Sequence, residues 1–143
     1  MIESAELDGG RPWATASLRI ASDQLSADSI GERLGLRPSS TRAAEGEPAF
    51  SVWVMESGLE PSAPLEDHLY ILMEQLRDRR EILVELAEES NVEIWLSFSP
   101  GEVARRTSVF THHSIVELGE LGVDLVFDPY PAGGKGPRAS AGA

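Results

Sequence analysis

Two adjacent histidines and two carboxylates near the C-terminal end are the residues whose types could bind a divalent metal. His112 and His113 precede Asp124 and Asp128 in the sequence, and imidazole with carboxylate is a donor set that suits zinc or manganese. Adjacent histidines usually point in different directions, and no His-x-x-x-His or His-Glu-x-x-His spacing accompanies them. The pattern therefore favours exposed polar side chains at a helix start, and we predict no metal site and no cofactor.

The third histidine, His68, is the residue best placed by its neighbours to act as a general base. It follows Glu66 and Asp67, and nearby carboxylates raise the pKa of an imidazole. The serines form no Gly-x-Ser-x-Gly elbow, and the chain contains no cysteine nucleophile. A packed or capping histidine is therefore favoured over a catalytic one.

Three tryptophans lie in the polar phase of strand-like segments, where they are candidates for a binding surface. Strand side chains alternate between faces, so Trp13 and Trp95 are predicted to lie opposite the main core, together with Arg19. Trp53 belongs to a segment whose two alternate sets are both partly apolar, and we place it beside them. Large aromatic rings exposed together need a cover. That cover is a ligand, a second subunit or the chain's own loop 39–48.

Composition restricts the classes of partner. The 143 residues carry a formal charge of −12, which repels nucleic acid and anionic lipid surfaces over long range. The start of the chain shows no secretory signal and no apolar run reaches membrane-spanning length, so a cytoplasmic location without nucleic acid or membrane partners is expected. Lys135 is the only lysine among many arginines, which indicates a GC-rich bacterial genome.

Hydrophobic periodicity and local stop signals divide the chain into alternating strands and helices. Ser26 is placed to cap the first helix, and Leu-Gly ends both the first and the last helix, at Gly35 and Gly122. The charged run 77–81 predicts a kink or a solvated turn in the longest helix. The predicted elements are strand 12–21, helix 27–34, loop 39–48, strand 49–56, helix 65–89, strands 91–99 and 106–111, a helix from Thr111 or His113 to 121, and strand 123–127.

These elements predict one domain over residues 12–130, with a flexible lead 1–11 and a disordered tail 131–143. Their order favours an α+β domain of two layers, with a mixed, mostly antiparallel sheet of four to five strands and the helices on one face. A ferredoxin-like variant is one way of connecting them. The apolar phase of the strands, which includes Leu96 and Phe127, is expected to pack on the long helix.

Several short signals occur in an order that resembles a known family. They are Ala16-Ser17-Leu18-Arg19-Ile20, Leu34-Gly35-Leu36-Arg37-Pro38, Trp53, His68-Leu69 and Leu121-Gly122-Val123-Asp124-Leu125. In this order the chain resembles an uncharacterised bacterial family, the domain of unknown function 4279, over about residues 12–130. The resemblance implies a compact α+β domain and brings no established activity or catalytic residue. His112-His113 departs from the apolar residue and serine expected before the last helix, so any role of this pair would be special to this chain.

Three function classes remain. The first is a non-enzymatic binding or interaction module that uses Trp13, Arg19, Trp53 and Trp95 to bind a protein, a small molecule or a second copy of the chain. It ranks first because it needs no absent catalytic group. The second is an immunity-like or inhibitory protein that binds a basic protein, since a small acidic domain suits electrostatic association. The third is a hydrolase or isomerase that uses His68 or the His112-His113 pair.

Overall fold

Residues 10–46, 49–102 and 107–132 are described by a computed structural model. Residues 1–9 and 133–143, which contain most of the predicted lead and tail, lie outside this description. The elements in chain order are β1 (Trp13–Ser22), α1 (Ala27–Leu34), β2 (Ser40–Glu45), β3 (Phe50–Glu56), α2 (Leu65–Leu76), a 3-10 turn (Arg77–Arg79), α3 (Arg80–Glu89), β4 (Asn91–Ser99), α4 (His112–Leu121) and β5 (Asp124–Pro129).

The strands form a five-stranded sheet in the order β2-β3-β1-β4-β5. β1 lies in the centre and is antiparallel to both neighbours, whereas β4 and β5 are parallel. The predicted α+β class, with a mixed and mostly antiparallel sheet, is confirmed. The ferredoxin-like connection is not adopted, because that fold separates its parallel strands by an intervening one, whereas β4 and β5 are direct neighbours joined through α4.

One face of the sheet and the helices enclose a single apolar core. Alternate residues of β1, such as Leu18 and Ile20, are buried, and so are Leu96 on β4 and Leu72 on α2. This is the predicted register of β1 and β4. The expectation for Phe127 was wrong, because its side chain is 53% exposed. Although Phe127 has the helix-facing phase, β5 is the last strand of the sheet, and its ring meets Phe110 at its edge instead of the long helix.

The helices begin and end where the sequence signals place them. Ser26 Oγ accepts a hydrogen bond from the backbone N–H of Ser29, and α1 ends at Gly35 in the left-handed conformation, with φ 68°. Thr111 caps α4 in the same way, and α4 ends at left-handed Gly122, with φ 73°. These glycines are C-terminal stops that residues with a Cβ adopt only with strain.

The predicted break in the longest helix is confirmed. A 3-10 turn, Arg77–Arg79, separates α2 from α3. Arg79 donates hydrogen bonds to the carbonyls of Leu34, 2.7 Å away, and Gln75, 2.8 Å away. Arg77 donates to both carboxylate oxygens of Glu117 on α4. The charged run therefore breaks the long helix, and its arginines bind residues of α1, α2 and α4.

Two predicted segments have a different structure. The described part of loop 39–48 does not fold over the sheet face: residues 40–45 form the exposed edge strand β2, because they pair with β3. Segment 106–111 was predicted as a strand, but residues 107–111 are not a strand. The backbone N–H of Val109 instead donates to the carboxylate of Glu66 on α2. This segment is therefore held by a contact with a helix and not by pairing with a strand.

Candidate functional site

The face of the sheet opposite the helices carries the residues that the sequence assigns to binding. Cross-strand partners point to the same side, so the pairing of Arg19 with Val54 and Glu93 places all three on this face. The same registers extend the row of side chains in both directions along the strands. We call this surface the open face; it contains Trp13, Thr15, Ser17 and Arg19 of β1, Val52, Val54 and Glu56 of β3, Glu93, Trp95, Ser97 and Ser99 of β4, and Asp124, Val126 and Asp128 of β5.

Arg19 and Trp95 form a stacked pair near the centre of the open face. The guanidinium carbon of Arg19 lies 4.3 Å from the centroid of the Trp95 ring, a distance at which a cation is attracted to an aromatic face. The indole N–H of Trp95 donates to Glu93 Oε1 at 2.8 Å. The Nε of Arg19 is buried and has no hydrogen-bond acceptor. The pair therefore holds a guanidinium over an aromatic ring, with its Nε–H donor unpaired.

A pair of aromatic rings lies toward one end of the open face. The rings of Trp13 and Tyr130 have centroids 5.2 Å apart. Asp128 accepts a hydrogen bond from Ser97 Oγ at 3.1 Å. Burial and the adjacent carboxylate of Asp128 raise the pKa of the Tyr130 phenol. Trp95 is opposite Ser17, four residues from Trp13 along β1, so Trp13 and Trp95 are separated by about 13 Å along the strand.

Tyr130 is a residue of this surface that sequence reasoning missed. Its backbone N–H donates to the carbonyl of Phe98 at 2.8 Å, which continues the pairing of β5 with β4 by one residue. A signal was present, because Tyr130 follows Asp124, Val126 and Asp128 in the same alternate phase. The predicted last strand ended at Phe127, so Tyr130 was not assigned to it.

The placement of Trp53 on the open face was wrong. Its side chain is 0% exposed and lies on the helix-facing side, opposite Ile20 of β1. The reason is register: Ser51, Trp53 and Met55 are the buried set of β3. A strand with two apolar sets can present either one to the core, and pairing with β1 decides between them.

Trp53 instead lines a groove of about 300 Å³ between α1 and the β2–β3 edge, with Asp28, Glu32 and Thr41 among the other lining residues. Its indole Nε1 is buried without an acceptor. Gly31 permits this approach, since a Cβ there would lie 3.1 Å from Trp53 Nε1.

His68 forms a buried hydrogen-bonded unit with Ser57. Ser57 Oγ lies 2.6 Å from His68 Nδ1, and His68 Nε2 lies 3.1 Å from the carbonyl oxygen of Glu60. A carbonyl only accepts, so Nε2–H donates to it and Nδ1 of the neutral ring accepts from the Ser57 hydroxyl. Burial lowers the pKa of His68, against the opposing effects of the Glu60 and Ala63 carbonyls and of Asp67.

A serine hydroxyl that donates to imidazole is the geometry of an activated nucleophile. Here Ser57 and His68 are both buried under the connection between β3 and α2, and Ser57 Oγ also accepts from the backbone N–H of Leu59 at 3.3 Å. The imidazole is held by the backbone carbonyl of Glu60 and not by a carboxylate. The arrangement pins the β3–α2 connection onto α2, which agrees with the packed histidine predicted from the sequence.

The two remaining histidines are not brought together with the aspartates. His112 and His113 stack on each other at the exposed start of α4, with ring centroids 4.0 Å apart. Asp128 points to the open face, where it bonds Ser97. Within residues 10–46, 49–102 and 107–132, no group of three or more His, Cys, Asp or Glu side chains is arranged to hold a metal ion.

A family model described as Domain of unknown function (DUF4279) matches residues 12–132. The chain belongs to this family. The resemblance inferred from the sequence is thus confirmed, and the match begins at β1 and ends just beyond Tyr130. Searches of the curated proteins and of the solved structures gave no significant match to this DUF4279 domain. In the described part of the chain no helix has the length and apolar character to span a membrane.

Proposed function

We propose that this DUF4279 domain is a non-enzymatic binding domain of the bacterial cytoplasm and that the open face is its binding surface. The observation that carries the proposal is the Arg19–Trp95 pair, a stacked guanidinium with an unpaired Nε–H on a sheet face. The described helices pack on the opposite face, where the apolar core lies. A bound molecule on the open face would gain aromatic contact and a charged hydrogen-bond donor at one place.

The aromatic content of the open face supports a binding role. Trp13, Trp95 and Tyr130 are each partly exposed. A large aromatic ring contributes about 150–250 Å² of contact surface at a low cost in side-chain entropy. Thr15 lies between Trp13 and the Arg19–Trp95 pair and has a small side chain. A ligand placed along β1 would therefore meet Trp13 and Tyr130 at one end and Trp95 at the other.

The experiment compares Trp95→Ala with Phe127→Ala. Both variants remove a partly or fully exposed aromatic ring of the sheet, but Phe127 lies on the helix-facing phase of the edge strand. Immobilised domain is incubated with lysate of the native host, and retained proteins and small molecules are identified by mass spectrometry. We expect a retained species that Trp95→Ala loses and Phe127→Ala keeps, with both variants folded by circular dichroism. If both variants retained the captured species equally, the proposal that the open face is the binding surface would be wrong.

A second candidate is an inhibitory or immunity-like protein that binds a basic partner. The net charge of −12 favours it, because charge complementarity accelerates association with a cationic protein. The carboxylates of the open face, Glu56, Glu93, Asp124 and Asp128, outnumber Arg19 there. Association of this kind slows steeply as salt is added. Measured association rates at low and high salt with the captured species would therefore separate the two candidates.

A further inference from the structure

Resting on the proposed function, we propose that Arg19 anchors a carboxylate and that the ligand of the open face is a small monocarboxylate with an apolar body.

The guanidinium of Arg19 is held in place without being neutralised. Its contact with the Trp95 ring fixes the end of a long side chain, which lowers the entropy that binding would otherwise cost. No described side chain accepts a hydrogen bond from it, and its Nε is shielded from solvent. A buried donor without an acceptor is energetically unfavourable. An incoming acceptor would bind at the Nη groups of Arg19, because the Nε–H is shielded from solvent.

Glu93 is the residue that would be expected to pair with Arg19. The two are direct cross-strand partners on β4 and β1, which places their Cβ atoms about 5 Å apart. Glu93 instead accepts the indole N–H of Trp95 at 2.8 Å. Trp95 therefore has two roles: its ring supports the guanidinium, and its N–H binds one oxygen of the carboxylate that would compete for it.

The free geometry of Arg19 suits a carboxylate. A guanidinium presents parallel N–H donors that match the two oxygens of a carboxylate, and such charge-assisted pairs are stronger than neutral hydrogen bonds. A planar carboxylate can accept from two N–H donors at an edge of the guanidinium while one face of the guanidinium stays on the Trp95 ring. A single neutral carbonyl uses only part of this donor set.

The surroundings of Arg19 indicate the size and charge of the ligand. Its cross-strand neighbour on β3 is Val54, and Val126 of β5 lies beside Trp95. These side chains offer apolar contact to the body of a ligand. The net charge of −12, together with Glu56, Glu93 and Asp124 on the same face, opposes the approach of polyanions and of phosphate dianions more than that of a single carboxylate. A monocarboxylate with an apolar body satisfies both conditions.

The test is a titration of the full ¹⁵N-labelled chain with benzoate, followed by the Arg19 Nε–H and Trp95 Nε1–H resonances. Benzamide is the neutral isostere, and phenyl phosphate tests the other anionic headgroup. We expect saturable shifts of both resonances with benzoate, none with benzamide, and weaker binding of phenyl phosphate. Arg19→Met should weaken benzoate binding by about tenfold or more, the loss of a charge-assisted pair.

Two conservative changes test the mechanism without depending on Arg19 substitution. Trp95→Phe keeps an aromatic ring but releases Glu93 to pair with Arg19, so benzoate binding should fall, whereas Tyr70→Phe on the exposed side of α2 should leave it unchanged. Glu93→Gln removes the competing charge but keeps an acceptor for the indole, so binding should tighten by a factor of about three, the scale of a partly screened charge. Glu88→Gln, which makes the same change in net charge on the exposed side of α3, should have no effect.

Equal binding of benzamide and benzoate, unchanged benzoate binding in folded Arg19→Met, or the absence of any saturable shift would each overturn the carboxylate site. These failures are distinct from failure of the proposed function. If the Trp95→Ala variant still loses the species captured from lysate while Arg19→Met keeps it, the open face remains the binding surface and only the carboxylate anchor is wrong.

Discussion

The Ser57–His68 pair shows how a residue with catalytic chemistry can serve the fold. The imidazole is 0% exposed, and both ring nitrogens have partners. The sequence correctly favoured a packed histidine, since no nucleophile motif accompanied it. It did not identify Ser57 as the partner, because the two residues meet only after the β3–α2 connection has folded back over α2.

Replacement of Ser57 by alanine should destabilise the domain without removing apolar contacts. The change leaves the Nδ1 lone pair of His68 buried and unsatisfied, which costs about 1–3 kcal/mol in free energy of unfolding. Urea denaturation of the variant measures that loss. Ser62→Ala, on the exposed part of the same connection, is the matched control and should be neutral. Equal stability of both variants would show that the hydrogen bond to His68 contributes nothing.

His68 should also make the stability of the domain depend on pH. Its pKa is lowered in the folded protein, so the unfolded chain binds a proton at a higher pH than the native state does. The free energy of unfolding should therefore be highest above the unfolded value of 6.5 and should fall as the pH drops below it. Proton NMR of the ring should give a titration midpoint below 6.5 in the native protein. A midpoint above that value would contradict the buried neutral imidazole.

At the scale of elements, strand phase was predictable where one alternate set was polar and unpredictable where both were apolar. β1 and β4 each have one polar set, so Trp13, Arg19 and Trp95 were assigned correctly to the face opposite the core. β3 has no such asymmetry, and only its pairing with β1 places Trp53 inside. Edge strand β2 was also missed, since its short, exposed sequence carries no alternating apolar residue to reveal it.

Leu96 and Trp95 are adjacent on β4 and test this phase directly. Leu96 is fully buried in the core, so Leu96→Ala should lower the free energy of unfolding by about 2–5 kcal/mol through lost packing and a residual cavity. Denaturant unfolding followed by circular dichroism measures the loss. Leu96→Ala should leave the Arg19 Nε–H environment unchanged under native conditions. A loss below about 1 kcal/mol would contradict the register.

The two glycines near the end of α4 should respond in opposite directions to alanine. Gly119 lies within the helix, and a Cβ there meets nothing within 4 Å, so Gly119→Ala should stabilise the domain by about 0.5–1 kcal/mol through helix propensity. Gly122 has φ 73°, and Gly122→Ala should destabilise it because a Cβ is strained there. Thermal melting of the two variants gives the signs. The same sign for both would contradict the helix end at Gly122.

On the scale of the whole molecule, the charge of −12 and the open face act in opposite directions on self-association. Partly exposed aromatic rings on the open face favour a dimer, one of the three covers that the sequence allows, but two copies would bring like charges together. Glu93, Asp124 and Asp128 lie on the same face as the tryptophans. Electrostatic repulsion therefore favours a monomer whose open face remains available to a small ligand.

Sedimentation velocity tests this balance. At a concentration of about 10 μM and a salt concentration of about 0.1 M, where charges within about 10 Å still interact, the wild type should sediment as a monomer. Addition of benzoate should leave the protein monomeric, because a ligand bound at Arg19 occupies the open face of one molecule and does not bridge two molecules. A dimer that Trp95→Ala dissociates and Phe127→Ala does not would assign the open face to a second copy of the chain. In that case the aromatic rings would be an interface, and the carboxylate that pairs with Arg19 would have to be sought on the other subunit.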